Sequence, residues 1–193
     1  MIKGSDVRTA DHRIDALFLD RWSPRAMSGQ ALTSAELSVL FEAARWAPSS
    51  INSQPWRFIY ALAGTPEFQT FFELLAEGNR VWCTRAGALL CVVAKTTFGN
   101  GIPMRTHAFD TGAAWMSLAL QASRMGVVAH GMAGFNYDAA RINLNVPEDF
   151  AVMCMVALGK PGRREDLPEK QQAWEQPNDR MLAEKFTFAG RMP

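Results

Sequence analysis

The clearest pattern of apolar and polar residues in the chain is a helical one, over residues 37–44. Apolar residues recur every three to four positions over 37–44, which predicts an amphipathic helix. The preceding Thr33-Ser34-Ala35-Glu36 is typical of a capping box, in which a hydroxyl and a carboxylate accept hydrogen bonds from free backbone N–H groups. Pro48 disfavours helical geometry in the residue before it, so this helix should end near Trp46.

The rest of the chain alternates between helical stretches and short apolar runs. Further helices are predicted over residues 11–19, 66–76, 110–125 and 138–144, and strands over residues 56–62, 88–94, 127–129 and 151–158. Asp110 can cap the longest of these helices, and Gly126 follows its end. Helices interspersed with strands indicate a three-layer α/β or α+β domain. We expect residues 1–193 to form this one domain, with 163–193 as an extended polar tail.

Composition narrows the class of protein. The chain has 193 residues, of which 48% are hydrophobic and 20% charged, as in ordinary globular domains. A net charge of +1 without a basic block argues against a nucleic-acid partner. No apolar run approaches the roughly 20 residues of a membrane helix, so no membrane partner is expected. Three widely spaced cysteines (Cys83, Cys91 and Cys154) and a charged N-terminal stretch predict a reduced, cytoplasmic protein without a signal peptide.

Sequence motifs for several common chemistries are missing. The chain carries no G-x-G-x-x-G after a strand, no G-x-x-x-x-G-K-[ST], no H-E-x-x-H and no G-x-S-x-G. His12, His107 and His130 have neither metal-ligand spacing nor a neighbouring nucleophile, and structural roles are expected for the last two. Any activity must therefore come from another group of residues, without a metal.

The first candidate is Arg21-x-Ser23-x-Arg25, which follows a short predicted helix. Guanidinium groups offer paired N–H donors that match the oxygens of a phosphate monoester, and the hydroxyl lies between them. A solvated basic turn at the end of a helix contains the same residue types. The motif taken alone favours the solvated turn, so the interpretation depends on the other segments.

Two further segments could contact a planar ligand. Residues 47–56 are irregular and polar, are stiffened by two prolines and could form the fixed polar edge that a flavin ring needs. The alternative is an ordinary turn built from Asn and Ser. Residues 130–135 contain Gly131 and Gly134, which either allow the backbone to approach a ligand or mark a strand end or bulge.

Together these segments resemble the nitroreductase family of FMN-dependent flavoproteins. The resemblance covers about residues 13–190, with 48–56 as its most specific part, and extends to 110–114, 157–162 and 179–184. It implies a three-layer sandwich in which helices flank a central, mainly antiparallel sheet. It also implies an intertwined homodimer with two FMN sites at the subunit interface.

The resemblance also implies cofactor contacts from both subunits. Those implied at the FMN phosphate are Arg21, Ser23, Arg25 and Arg180. Those implied around the flavin ring are Pro48, Ser49, Ser50 and Asn52 of the other subunit, Met132, Ala133 and Gly134, and Asp110 near the ring or the ribityl chain. Backbone N–H groups at Ala133 and Gly134 would face flavin N5 and O4.

Three departures from the family pattern affect the predicted site. Members of that family place an Asn and a Lys against the flavin pyrimidine, but the matching stretch 82–86 lacks this pair. Arg85 is the candidate substitute there, and whether it makes the contact is left open. Asn178 stands where others have a phosphate-binding Lys. Residues 95–109 are too short for the extra helices that some members fold over the substrate, so an open pocket is expected.

The activity implied is hydride transfer from NADPH or NADH through FMN to small acceptors, such as nitroaromatics and quinones, with ping-pong kinetics. Two alternatives remain open. One is a flavin-binding or storage protein without rapid turnover, and the other is a related enzyme that uses reduced flavin only, such as a dehalogenase. A homodimer is expected because a chain of this length buries only about 70% of its unfolded surface alone. Aromatic residues of the tail, Trp174, Phe186 and Phe188, would then be covered by the partner.

Overall fold

A four-stranded sheet forms the centre of the protein in a computed structural model that describes residues 2–192. The strands are β1 (Trp56–Leu62), β2 (Ala88–Lys95), β3 (Val128–Met132) and β4 (Phe150–Gly159). Their order in the sheet is β1-β2-β4-β3, and each neighbouring pair is antiparallel. The mainly antiparallel sheet implied by the family resemblance is therefore confirmed.

Helices cover both faces of this sheet. They are α1 (Ala16–Asp20), α2 (Ser34–Arg45), α3 (Pro66–Leu74), α4 (Glu77–Cys83), α5 (His107–Arg124), α6 (Tyr137–Asn143) and the short α7 (Glu169–Gln172). Alternate residues of β2 point to different cores: Leu90 packs with α2 and α5, whereas Leu89 packs with α3 and α4. This alternation follows from the side-chain period of a strand, and it produces the predicted three layers.

The best-predicted helix has the capping geometry that its sequence indicates. The Thr33 hydroxyl accepts the Glu36 N–H at 3.2 Å, and the Glu36 carboxylate accepts the Thr33 N–H at 2.9 Å. A hydrogen bond from Lys160, together with those from Thr33, lowers the pKa of Glu36 to about 2. The ion pair of Glu36 with Lys160 also ties the start of α2 to the chain that follows β4.

Other element boundaries differ from the sequence prediction. Helix α5 begins at His107, so Asp110 lies within its first turn and does not cap it. Helix α1 is shorter than predicted, because the carboxylate of Asp15 caps it by accepting the Leu17 N–H. Strand β3 continues past Ala129 to Met132.

Helix α4 was missed entirely by the sequence analysis. It contains Gly78 and Asn79, which have low helix propensity, and its N-cap residue Ala76 makes no side-chain capping bond. Its end carries Trp82 and Cys83, both buried in the core beside the sheet. Tertiary burial of these two side chains therefore outweighs the poor local propensity.

The chain after β4 has two parts with different exposure. Gln171 and Glu175 are buried against the rest of the chain, whereas Phe186 and Phe188 are exposed. Among residues 2–192, no helix is both long and apolar enough to cross a membrane. The cysteines are free, and burial raises the pKa of Cys91 to about 12, in keeping with thiols that pack as small apolar side chains.

Candidate functional site

A cavity of about 640 Å³ lies between the segment that links α1 to α2 and the beginning of the tail. Its wall is rich in guanidinium groups, from Arg8, Arg21, Arg25 and Arg180, and it also includes Ser23 and His130. Asp179 is the one acidic residue among the described residues that line this arginine cavity. The structure thus brings together all four of the residues implied in phosphate binding.

A buried carboxylate fixes one wall of the arginine cavity. Glu175 is 7% exposed, and its carboxylate accepts the Arg25 N–H at 2.8 and 3.0 Å and the Ala26 N–H at 2.9 Å. The Arg25 guanidinium lies 5.7 Å from the centre of the Trp174 ring. These contacts fasten residues 173–180 of the tail to the Arg21–Arg25 motif of the same chain.

Arg8 is a cavity residue that the sequence analysis missed. Its guanidinium donates to the carbonyl oxygens of Leu19 at 2.7 Å, Arg21 at 3.1 Å and Asn178 at 2.8 Å. Asn178 carries no positive charge at the position where the resemblance implies a phosphate-binding Lys, and Arg8, which contacts Asn178, supplies a cation to the same cavity. Arg8 stands in a polar N-terminal stretch without a motif, so no signal in the sequence marked it.

Burial and mutual repulsion disfavour the charged form of two arginines in this cavity, Arg21 and Arg8. Burial, followed by repulsion from Arg180 and Arg8, lowers the pKa of Arg21. Burial and Arg180 also lower the pKa of Arg8. Because arginine remains protonated despite such shifts, the result is a concentration of positive charge. An anion with several oxygen acceptors, such as a phosphate monoester, would relieve this repulsion and match the donors.

His130 connects the arginine cavity to a neighbouring groove of about 400 Å³, since this residue lines both. Its Nδ1 lies 3.0 Å from the Pro24 carbonyl oxygen, and its ring centre lies 4.6 Å from that of Trp82. Burial lowers the pKa of His130 to about 4. The ring is therefore neutral near pH 7, and the Pro24 carbonyl requires the proton on Nδ1, which leaves Nε2 as an acceptor.

The groove follows the end of β3 and includes Ala133 and Gly134. Asn79 of α4 also lines it, and the Asn79 side-chain amide donates to the Gly134 carbonyl oxygen at 2.9 Å. A Cβ atom at Gly134 would lie 2.8 Å from that amide nitrogen, so a side chain at this position would displace the amide of Asn79. Asn79 was missed because α4 was not predicted. The Met132 side chain is 4% exposed and packs in the core.

Arg85 does not reach this groove. Its guanidinium pairs with Asp166 at 2.7 Å and donates to the Ser28 carbonyl oxygen at 3.0 Å. Within this chain the Arg85 guanidinium is therefore engaged by Asp166 and Ser28, and its contact with a flavin pyrimidine stays a prediction. Gly131 also has a packing explanation, because a Cβ atom there would lie 3.3 Å from the Trp115 ring.

Residues 48–52 lie apart from the arginine cavity, and none of them appears among its described lining residues. The Ser50 N–H donates to the Asp110 carboxylate at 3.1 Å, and the Thr106 hydroxyl donates to the same oxygen at 2.9 Å. Asp110 is 3% exposed, and its carboxylate holds the backbone of this segment at the Ser50 N–H. Ile51 and Asn52 have φ values of 45° and 57°, a strained geometry that is common at functional sites.

The fold and these donors define the class of protein: an α/β protein with an arginine-lined cavity suited to a phosphorylated ligand. A sequence model of the nitroreductase family matches residues 19–67 and 60–160. The chain therefore belongs to the nitroreductase family.

Individual relatives agree with this assignment. Protein DrgA of Synechocystis is 30% identical over 82% of this chain and 88% of its own length. An Archaeoglobus fulgidus protein named "Putative NADH dehydrogenase/NAD(P)H nitroreductase" is 26% identical over 86% of this chain and 94% of its own. A crystal structure described as an oxidoreductase containing FMN is 40% identical, with a TM-score of 0.94 over 100% of this chain and 99% of that one.

The role of Glu175 gives a first prediction. Glu175→Ala leaves the N–H groups of Arg25 and Ala26 without their acceptor, so the free energy of unfolding should fall by about 2–3 kcal/mol. Urea denaturation followed by circular dichroism measures the change. Glu184→Ala is the matched control, because Glu184 is exposed in the tail and should change stability by less than about 0.5 kcal/mol. Equal stability of the two variants would contradict the role of Glu175.

Proposed function

We propose that the protein is an FMN-dependent oxidoreductase that takes hydride from NADPH or NADH and reduces small acceptors, such as nitroaromatics and quinones. The observation that carries the proposal is the arginine cavity, in which the four residues implied at the FMN phosphate converge with Arg8. Membership of the nitroreductase family and the 40% identity to an oxidoreductase containing FMN support it.

The donor set fits FMN. Arg21, Ser23, Arg25 and Arg180 would hold the phosphate, with Arg8 as an additional cation. The groove at Ala133 and Gly134 adjoins this cavity through His130 and would take the flavin ring. When bound, FMN supplies two-electron transfer between a nicotinamide and an acceptor, while the protein supplies position and charge.

The main chain at Gly134 is held firmly enough to position a ligand. The Gly134 carbonyl oxygen accepts two hydrogen bonds at 2.9 Å, from the Ala76 N–H and from the Asn79 side chain. These bonds fix the peptide plane that follows the proposed N–H donors of Ala133 and Gly134. His130 beside them contacts the Pro24 carbonyl through Nδ1, and burial lowers its pKa to about 4, so a proton-donating role is not assigned to it.

A complete site requires two subunits in this proposal. Pro48, Ser49, Ser50 and Asn52 lie away from the arginine cavity of their own chain and would line the flavin of the partner. Large apolar side chains are exposed near this segment and on α5, including Ile51 at 83% and Phe109 at 82%. Clustered exposed apolar groups are typical of an interface, so we propose a homodimer. Asp110 would then act as a positioning residue for Ser50.

The two alternatives differ from this proposal in their reaction with nicotinamide. A storage protein would use the same arginine cavity and bind FMN without rapid turnover. An enzyme that reacts with reduced flavin only would need another source of electrons. The name of the Archaeoglobus fulgidus relative includes NAD(P)H, which supports the oxidoreductase over both alternatives.

The phosphate assignment predicts the behaviour of a double variant. Arg21→Ala with Arg25→Ala removes two charge-assisted donors, so FMN should bind about 2–4 kcal/mol more weakly, roughly 30-fold to 1000-fold. Fluorescence titration of the flavin measures the affinity. Riboflavin, which lacks the phosphate, is the matched ligand and should bind the variant and the original protein equally. Unchanged FMN affinity would contradict the assignment.

The reaction with nicotinamide distinguishes the proposed activity from its alternatives. Mixing the purified, flavin-loaded protein with NADPH or NADH under anaerobic conditions should bleach the visible flavin band. In a stopped-flow experiment the bleaching should be complete within seconds. Subsequent addition of a nitroaromatic or a quinone should restore the band. Protein that binds FMN but keeps its colour with both nucleotides would favour storage or a reduced-flavin enzyme.

The two-subunit site predicts that flavin retention depends on assembly. Sedimentation at micromolar concentration should show a dimer that carries flavin. Phe109→Asp, which places a charge on the exposed face of α5, should shift the protein toward monomer and release FMN together. A stable monomer that keeps its flavin would overturn the shared site.

A further inference from the structure

A second cationic cavity, of about 480 Å³, lies beside residues 51–55 at the ends of β1 and β2. Its polar and charged lining is Ser53, Gln54, Arg57, Lys95, Thr97 and Asn100, and its apolar lining includes Ile51, Phe98 and Met104. No Asp or Glu is among the described residues that line it. None of its residues belongs to the arginine cavity.

Strand pairing places the two cations of this cavity on neighbouring strands, two register positions apart. Lys95 pairs with Phe150 in the register of β2 and β4, and Arg57 lies on the neighbouring β1, opposite Val93. The Arg57 guanidinium and the Lys95 ammonium lie 6.0 and 5.9 Å from the centre of the same Phe150 ring. The sheet thus holds both positive charges within about 6 Å of the centre of one aromatic ring.

Both cations have partners that orient them without neutralising them fully. One guanidinium nitrogen of Arg57 donates to the carbonyl oxygens of Gln54 at 2.9 Å and Trp56 at 2.6 Å. Carbonyl oxygens carry no net charge, so Arg57 keeps its own. Lys95 lies 3.6 Å from the Asp149 carboxylate. One carboxylate beside two cations leaves the pair with a net positive charge, which favours an anionic ligand.

Apolar residues also line this cavity, and one of them belongs to the segment proposed to line the flavin. Ile51 belongs to the 48–52 segment. Its side chain is exposed, and its backbone has a positive φ of 45°. Phe98 and Met104 come from the loop between β2 and α5, and the Ser53 hydroxyl contacts the Met104 sulfur at 3.5 Å. An aromatic ring suits the apolar wall, and its anionic substituent suits the cations.

We propose that this cavity is a subsite for the anionic group, carboxylate or phosphate, of an aromatic reactant that binds at the flavin, with Arg57 and Lys95 as specificity-determining residues. The inference rests on the proposed function, because residues 48–52 place the cavity near the reacting ring only if they line a flavin. The shared chemistry has two sources, a carboxylate on the acceptor or the 2′-phosphate of NADPH.

Isothermal titration calorimetry with the flavin-loaded protein tests whether the cavity binds a carboxylate on the acceptor. This measurement requires no turnover. The probes are 4-nitrobenzoate and its neutral isostere 4-nitrobenzamide. Arg57→Gln and Lys95→Gln should each weaken 4-nitrobenzoate binding about tenfold, the low end for a charge-assisted contact at an accessible site, and leave 4-nitrobenzamide unchanged. Asp149→Asn should act in the opposite direction and tighten 4-nitrobenzoate severalfold. Arg124→Gln, at an exposed arginine at the end of α5, is the control and should change neither.

The nucleotide source is tested by the same variants with NADP⁺ and NAD⁺. A loss of about tenfold for NADP⁺ alone would assign the subsite to the nucleotide phosphate, and a loss for 4-nitrobenzoate alone would assign it to the acceptor. Unchanged selectivity in both pairs would overturn the subsite. These binding measurements do not require reduction of the flavin. If the protein failed to react with NADPH, the proposed function would be contradicted, but the binding data would still test the subsite.

Discussion

Burial of both faces of the two central strands is the constraint on which the rest of the structure depends. β2 and β4 have helices on either side, so nearly every residue of β2 is apolar and buried. Polar chemistry is therefore excluded from the middle of the sheet and confined to its edges and strand ends. The groove at Gly134 follows edge strand β3, and the cavity at Arg57 adjoins edge strand β1. The location of both candidate sites follows from this single packing requirement.

Local charge separation explains how a chain with a net charge of +1 forms a strongly positive cavity. The Glu175 carboxylate next to the motif is occupied by backbone N–H groups, and Asp179 is the one acidic residue among the described lining residues, against four arginines. Elsewhere in the chain, Asp166 pairs with Arg85 and Arg163. Formal net charge therefore gives no indication of the local field. What matters is which carboxylates are held by the backbone or by other cations, and this is decided only after folding.

The elements that sequence analysis predicted well are those fixed by local rules. Strand β1 and the capping box of α2 depend on residues adjacent in the chain, and both have the predicted form. Helix α4 and the position of Arg8 depend on residues that are distant in the chain. Helix α4 forms because Trp82 is buried in the core, and Arg8 is held by the carbonyl oxygen of Asn178. Local helix propensity carries no information about either contact. Asp110 shows the intermediate case. Its importance was predicted, but its contact with Ser50 crosses from α5 to another segment.

The distribution of site residues along the sheet bears on why a two-subunit site would arise. The Arg21–Arg25 motif contacts His130 on edge strand β3, whereas residues 48–52 lead into β1 at the opposite edge. Strands β2 and β4 lie between these two edges, so the sheet of one chain holds the two segments apart. A second copy would solve this problem, because it presents its 48–52 segment without moving any strand. The strained φ values of that segment, held by the buried Asp110, then gain a physical explanation: rigidity acquired in one subunit would orient groups for the cofactor of the other.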